Sequence, residues 1–370
     1  MKKVLFTATI SKHFFYFHQP CFKFFHDNGF EVSTASLGEI PMADVDKHYD
    51  IAFERFPLNI KNYNAYKQLK RIIDGEGFKI VHCHTPVGGV VTRLAALKAR
   101  KNKTKVVYTA HGFHFYKGAS RFNWCVYYPI ELFLSFVTDC LITINEEDYA
   151  FAKKHLHAKD TRLVNGVGYD TDRFFPVSPE AKSLLRQKYG FSDGDKILIY
   201  VAELNENKNQ SMLIRAMKAV KEQRGNVKLL LVGPDNFNGE YQKLAAELGV
   251  DKDIIFKGDC LDTRELVQLS DIGTVSSLRE GLPVNVMESL ACGLPIVAAD
   301  NRGHRALIKN GVNGFLVEPN DWQAMANRII ELIDDGELYS KMSAAAVEMI
   351  KPYSKDKVIE QLAEIYNGLM

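Results

Sequence analysis

No apolar run in the 370 residues approaches the roughly 18 needed to cross a bilayer, so a membrane-spanning helix is not expected. Met1-Lys2-Lys3 leads straight into Val4-Leu5-Phe6, an apolar stretch too short for a signal peptide and without a small-residue cleavage site. It reads as a first buried strand, and the protein as cytoplasmic. The six cysteines (Cys21, Cys83, Cys125, Cys140, Cys260, Cys292) include no C-x-x-C pair, which argues against a disulfide framework and a thiolate zinc site. Several lie in apolar runs, where a reduced Cys acts as a small hydrophobe. Gly233-Pro234 follows a strand pattern, but no G-x-G-x-x-G completes it, so nicotinamide binding has no support. Repeats, low-complexity tracts and nucleic-acid motifs are also missing, and no nucleic-acid partner is expected.

There is little net charge, +2 from 47 basic and 45 acidic residues, yet it is unevenly spread. Residues 1–175 carry a basic excess of seven and the remainder an acidic excess of five. Either the first half meets something anionic, or two solvated faces simply differ.

What is present is an alternation. The length suggests two domains, each able to bury a core. Short apolar runs fit strands buried on both faces of a parallel sheet. In the first half they are 4–9, 31–35, 80–84, 105–110, 140–144 and 162–164, with helical segments at 14–28, 63–76 and 146–155. Gly29 stands at a C-cap position and Asn145 where an N-cap belongs. The pattern breaks at NGVGYDTDRFFP (165–176), read as the inter-domain linker. A second set of strands follows at 196–201, 228–232, 254–257, 273–276, 296–299 and 314–317, with helices at 210–224, 241–248, 263–269 and 284–291. Three helical segments end the chain (322–334, 338–351, 355–369), the last two parted by Pro352. Two βα-alternating halves predict an α/β chain with two Rossmann-like, doubly wound sheets.

Ligands of such sheets bind beyond the carboxyl ends of the strands, so the loops that follow strands are the informative ones. Arg279-Glu280-Gly281-Leu282-Pro283 precedes a helix carrying Glu288, with Pro283 expected in the first turn. Amides at a helix start attract phosphate and sugar oxygens, and two carboxylates eight residues apart must serve different ends. Lys208, just before another helix, can meet a diphosphate. His111-Gly112 ends a strand where an imidazole can hydrogen-bond a ligand. His82 and His84 share one strand face, and with His111 and His114 could suggest a metal cluster, but no carboxylate or Cys spacing completes a known site, and no metal is expected. Asp44-Val45-Asp46 and Asp170-Thr171-Asp172 each spell D-x-D, a metal–diphosphate motif, but their context suits turns.

With these loops in view, the chain resembles the retaining glycosyltransferases of the large GT-B group, in its E-x7-E branch (family 4, group 1). The resemblance spans nearly the whole chain and is strongest in EGLPVNVMESLACGLPIVA, where Glu280 and Glu288 supply E-x7-E. NGVNGFLVEP, the linker NGVGYDTDRF and His111-Gly112 also match, and TAHGFHFY, AELNENKNQ and RGHR resemble the bacterial branch that builds capsule, exopolysaccharide and lipid-linked glycans. The resemblance implies two domains facing a cleft: an acceptor domain over 1–172, to which a helix at 353–370 returns, and a donor domain over 173–352. It implies that Glu280 contacts the donor sugar, with His111 facing that sugar from the other domain. Glu288 would accept from the ribose, Gly281 and Leu282, ahead of Pro283, would hold sugar hydroxyls or phosphate, and Lys208 would bind the diphosphate. The donor implied is a nucleotide sugar, UDP-linked hexose or N-acetylhexosamine, and the acceptor a lipid-linked saccharide. No metal or other cofactor is implied, since cations and helix N-termini balance the leaving group. An epimerase acting on UDP-sugars is the alternative on the same fold.

The sequence departs from this pattern twice. Ala202-Glu203 stands where relatives carry an Arg ahead of the diphosphate Lys, so Arg279, Arg302 or Arg305 is expected to compensate. Thr9-Ile10-Ser11-Lys12-His13 replaces a common Gly-Gly loop. Phe14, Phe15, Phe17, Phe22, Phe24 and Phe25 with Lys12 and Lys23, and the aromatic stretch 124–136, suggest either core or peripheral contact with anionic lipid on the inner face of the cell membrane.

Overall fold

The computed structural model describes residues 1–54, 56, 57 and 59–370. The chain divides into two compact units, Met1–Val167 with Asp356–Met370, and Gly168–Lys355. Each is built on a parallel sheet. The first holds β1 (Lys2–Ile10), β2 (Phe30–Leu37), β3 (Lys47–Asp50), β4 (Ile80–His84), β5 (Lys105–Ala110), β6 (Cys140–Thr143) and β7 (Asp160–Leu163), in the order β3-β2-β1-β4-β5-β6-β7. The second holds β8 (Lys196–Val201), β9 (Val227–Val232), β10 (Ile254–Gly258), β11 (Ile272–Val275), β12 (Ile296–Ala299) and β13 (Gly314–Val317), in the order β10-β9-β8-β11-β12-β13. The pairing is parallel throughout the described residues.

Both faces of the first sheet are covered, which is why β1 reads as an unbroken apolar run. Val4, Phe6 and Ala8 pack with Phe14, Phe22 and Phe25 on one side. Leu5 packs with Leu69, Ile73 and Val81 on the other. The strand order reverses between β1 and β4 in the first sheet and between β8 and β11 in the second. These two switch points are where the loops after neighbouring strands diverge and leave room for a ligand.

Two local differences from the sequence reading have clear causes. The expected helix over 14–28 is two helices, Ser11–Phe17 and Gln19–Asp27, broken at His18. Pro20 has no N–H for the preceding turn, and its ring blocks helical continuation. Strand β3 has no apolar run to betray it. KHYD is part-exposed and is placed by its register on Ser33–Ser36, beside an Asp46 carboxylate that accepts from the Val32 amide at 2.7 Å.

The helix Lys355–Leu369 packs mainly on the first unit. Val358, Leu362 and Tyr366, four residues apart, form its buried stripe. The Tyr366 ring lies 4.6 Å from that of Phe25, and its hydroxyl pairs with His82 Nδ1 at 2.8 Å. Each unit carries one tryptophan, Trp124 or Trp322, so Trp124 fluorescence in a Trp322→Phe background follows the first unit alone. In urea titrations so monitored, Tyr366→Ala is expected to cost about 3–5 kcal/mol, as for other buried aromatics. Tyr366→Phe, which removes only the hydrogen bond, is expected to cost about 1 kcal/mol.

Candidate functional site

The second unit's switch point gathers the loops that follow β8 and β11. Lys208 and Glu280 meet there, Nζ to Oε1 at 2.6 Å. The two loops are stitched together by one side-chain and one backbone hydrogen bond. Asn207 Nδ2 donates to the Arg279 carbonyl at 3.2 Å, and the Leu278 amide donates to the Asn207 carbonyl at 2.8 Å. Asn205 Oδ1 accepts from the Lys208 amide, and Ser276 Oγ donates to the Lys208 carbonyl. Tyr200, wholly buried at the end of β8, shares a hydrogen bond with Ser277. The ammonium of Lys208 is thus aimed by its backbone as well as by its partner.

Burial alone would push the Glu280 carboxyl up. The Lys208 charge and hydrogen bond, with smaller help from His304 and Ser277, outweigh that and hold it below the usual carboxylate range. A third loop, after β12, supports it from behind. A Cβ on Gly303 would come within 2.6 Å of Glu280 Cβ and 2.9 Å of its carbonyl carbon, so RGHR requires its glycine for close approach. Asn301 caps the helix Arg302–Leu307 and donates to the Ser277 carbonyl at 2.8 Å. Arg302, buried, donates through Nε to the Glu280 carbonyl at 3.3 Å. Arg305 pairs with Asp300 at 2.7 Å. Of the three arginines expected to replace the cation missing at Glu203, Arg279 lies in the Glu280 loop itself and Arg302 is hydrogen-bonded to it. Glu203 itself accepts from Asn236 Nδ2 at 2.7 Å.

Pro283 is the N-cap of the helix Val284–Ala291, one position ahead of the first turn where it was expected. Leu282 is buried and Gly281 part-exposed. Glu288 lies inside that helix and answers to other charges. Burial pushes its carboxyl up to about 7, against the pull of Arg173 and Lys355 and with the help of Asp170 and Asp262. The two carboxylates of E-x7-E therefore differ in protonation as well as in place. The D-x-D segments are turn residues: Asp170 Oδ1 accepts from the Asp172 amide at 3.1 Å, while Asp46 holds Val32.

In the first unit His111 lies just past β5, with Nε2 at 3.2 Å from Nδ1 of His84. The metal reading of the sequence grouped His82, His84, His111 and His114. The structure instead joins His84 and His111 with His13 and His18, one ring nitrogen of each lying within 4.8 Å of the others. His82 is engaged on both nitrogens, by Tyr366 and by Thr109 at 2.8 Å. His114 stacks on Tyr127, centroids 4.5 Å apart. His13 and His18 were missed because the expected continuous helix gave them no common direction with a strand end. A cavity of about 500 Å³ opens beside the cluster, lined by Thr9, Lys12, His13, Tyr16, Thr85 and His114 among others. Thr85 there has φ 62°, a backbone state that a β-branched residue rarely adopts, and is held by its hydroxyl contacts with Thr9.

The aromatic segments divide. Phe14, Phe22 and Phe25 are core and cannot touch a membrane, whereas Phe15, Tyr16, Phe122, Phe133 and Phe136 are exposed. Among the described residues no helix is long and apolar enough to cross a bilayer.

Lys208→Met is expected to destabilise the second unit by up to about 3 kcal/mol at pH 7, because it leaves a part-buried carboxylate uncompensated. A carboxyl held low in the folded state contributes stability that is present above its unfolded value and lost as pH falls through the folded one. The gap between wild type and Lys208→Met should therefore shrink below about pH 4. Urea midpoints read from Trp322, in a Trp124→Phe background, check this.

Comparison with known proteins agrees with this architecture. Residues 181–349 match the family model for glycosyl transferases group 1, and residues 3–145 that for glycosyl transferase 4-like domains. EpsD of Bacillus subtilis (strain 168), which bears the name of a glycosyltransferase, is 46% identical over the whole chain and 97% of its own length. The Escherichia coli UDP-Gal:α-D-GlcNAc-diphosphoundecaprenol α-1,3-galactosyltransferase is 25% identical over 83% of this chain and 80% of its own. Among solved structures, Anabaena HepE in complex with UDP-glucose superposes with a TM-score of 0.81 over all of both chains at 21% identity. WaaG, a glycosyltransferase involved in lipopolysaccharide biosynthesis, superposes with a TM-score of 0.77 at 16% identity, covering 99% of this chain and 100% of its own. With a Lys–Glu pair at the switch point of a parallel sheet and a full-length relative of this kind, the chain belongs to the group 1 and 4-like glycosyltransferases and is an enzyme of the GT-B fold.

Proposed function

We propose that the protein is a retaining transferase that moves a hexose or N-acetylhexosamine from a UDP-linked donor to a lipid-linked saccharide, in the synthesis of a bacterial surface polysaccharide. The observation that carries this reading is the Lys208–Glu280 pair at 2.6 Å. A cation for the diphosphate and an acceptor for sugar hydroxyls are already side by side. On donor binding the ammonium turns to the diphosphate, and the freed carboxylate accepts from the sugar. Gly281 and Leu282, next to Pro283 at the helix start, offer amides to sugar or phosphate oxygens. Arg302 adds positive charge beside the Glu280 loop. His111, just past β5, is assigned to donor-sugar recognition by its match to the family's His-Gly motif.

The step balances without a protein nucleophile. The bond from the anomeric carbon to the leaving phosphate oxygen breaks as the acceptor oxygen attacks the same face. The departing phosphate takes the acceptor's proton. Lys208, Arg302 and the helix N-terminus balance the leaving charge, so no metal is invoked for departure. The E. coli relative's undecaprenyl-diphosphate acceptor and HepE's UDP-glucose support the choice of substrates. The exposed Phe122, Phe133 and Phe136 provide an apolar surface suited to a peripheral membrane contact at the inner face of the cell membrane.

A panel of UDP-, GDP- and ADP-sugars without added divalent metal, with and without bacterial lipid extract, tests this by nucleotide release. One donor should respond, and release should rise with lipid. Glu280→Ala should lower it by about 100-fold or more, the size typical of removing one electrostatic stabiliser from the reacting centre. An epimerised sugar nucleotide in place of transfer would overturn the reading.

Glu288 gives a second test. Its ionised form accepts from the ribose hydroxyls, and burial pushes its carboxyl up to about 7. UDP-sugar, whose diphosphate has no proton to lose in this range, should bind about tenfold more tightly at pH 8 than at pH 6. Glu288→Gln should flatten that dependence in calorimetry. A pH-independent wild type would remove Glu288 from the ribose site.

A further inference from the structure

Four imidazoles converge in the first unit from four places in the chain. His13 comes from the helix after β1, His18 from the break that Pro20 imposes, His84 from the end of β4 and His111 from just beyond β5. All six ring pairs lie within 6.0 Å, centroid to centroid: 4.8 Å for His13–His18, 5.6 Å for His13–His84, 4.8 Å for His13–His111, 4.0 Å for His18–His84, 6.0 Å for His18–His111 and 5.5 Å for His84–His111.

Two nitrogen pairs touch, His13 Nε2–His18 Nε2 at 3.0 Å and His84 Nδ1–His111 Nε2 at 3.2 Å. Around an ion bound tetrahedrally at 2.0–2.1 Å, ligand nitrogens stand about 3.3 Å apart. Two edges of such a tetrahedron are therefore already formed. No ligand nitrogen is more than 4.8 Å from another.

Hydrogen bonds join the rings only two by two, His13 with His18 and His84 with His111, among the described residues. His84 Nε2 is buried and has no hydrogen-bond partner among the described residues. Burial, with mutual repulsion at His13, His18 and His84, holds these three rings well below the usual histidine range, and burial brings His111 down to about 4. Neutral imidazole is the form that coordinates a metal. The donor set is nitrogen alone, which suits zinc, cobalt, nickel or copper and does not suit magnesium or calcium. His82, engaged on both nitrogens, backs His84 with its ring 4.1 Å away.

We propose that His13, His18, His84 and His111 bind one divalent transition-metal ion of the zinc type, each through one ring nitrogen. The ion ties the helix after β1 to the ends of β4 and β5, at the first sheet's switch point and beside the cavity that His13 lines. Lys208 and Glu280 belong to the other unit and take no part in it; His111 alone is shared with the donor-sugar role proposed above, and the metal site does not rest on that role.

The test contains no sugar nucleotide. The untagged full-length protein is stripped with chelator, dialysed and titrated with Co²⁺. One equivalent should bind with the intense visible bands of four-coordinate cobalt, and Zn²⁺ should displace it. X-ray absorption of the zinc form should show at least three imidazoles at about 2.0–2.1 Å. His13→Gln with His111→Gln should abolish uptake, while His26→Gln, at an exposed histidine, should retain it. Failure of the folded wild type to take up one equivalent would overturn the proposal, as would fewer than three imidazoles in its absorption spectrum. Uptake that survives the double substitution in a chain with native near-ultraviolet circular dichroism would also overturn it. The wild-type spectra stand whether or not the double variant folds.

Discussion

In a parallel sheet every strand delivers the chain to the same edge, and this constraint sets where chemistry can sit in both units. Helices must carry the chain back, so loops after the strands accumulate on one side. At the point where strand order reverses, the two neighbouring loops turn opposite ways. Lys208 and Glu280 follow β8 and β11, the pair at the second reversal. Lys12, His13 and Thr85 follow β1 and β4, the pair at the first, and line the same cavity. Residues 72 positions apart meet because the topology leaves them nowhere else to go.

Polar groups are kept out of water in more than one way. The second unit keeps charge and pairs it: Glu280 stays ionised because Lys208 is at hand, and Gly303 allows the loop from β12 to close behind it. In the first unit four imidazoles are gathered instead, and burial favours their neutral form. A third arrangement lies deeper in the first unit. The fully buried Arg93 forms a bidentate pair with Glu131 and sits 4.0 Å above the Tyr108 ring, fixing the helix Pro86–Ala95 to the helix Arg121–Ser135. Gly89, where any Cβ would strike the Tyr108 ring at 2.5 Å, permits that closeness.

Much of this was legible in the residues. Apolar runs located twelve strands to within a few residues, because strands covered on both faces must be apolar throughout. Lys208, Glu280 and His111 stood out because each follows such a run. The features that escaped detection share one property: their meaning depends on a partner distant in sequence. KHYD is a strand only because β2 offers it an edge. His13 and His18 become neighbours of His84 only once Pro20 breaks their helix, and the proline was there to be read. Gly303 and Asn301 look like ordinary loop residues until the Glu280 loop is laid against them. The raised carboxyl of Glu288 follows from burial that no local pattern records.

The placement of Tyr366 bears on how the protein is made. Residues 356–370 belong to the first unit, yet 188 residues of the second stand between them and Val167. A ribosome releases the strands of the first sheet long before it releases the helix that covers Phe25 and bonds His82. The nascent first unit must wait with that apolar face open, while the second, continuous in sequence, can close as it emerges. Order of synthesis and order of completion are thus reversed, and the earliest-made sheet is the last to be sealed.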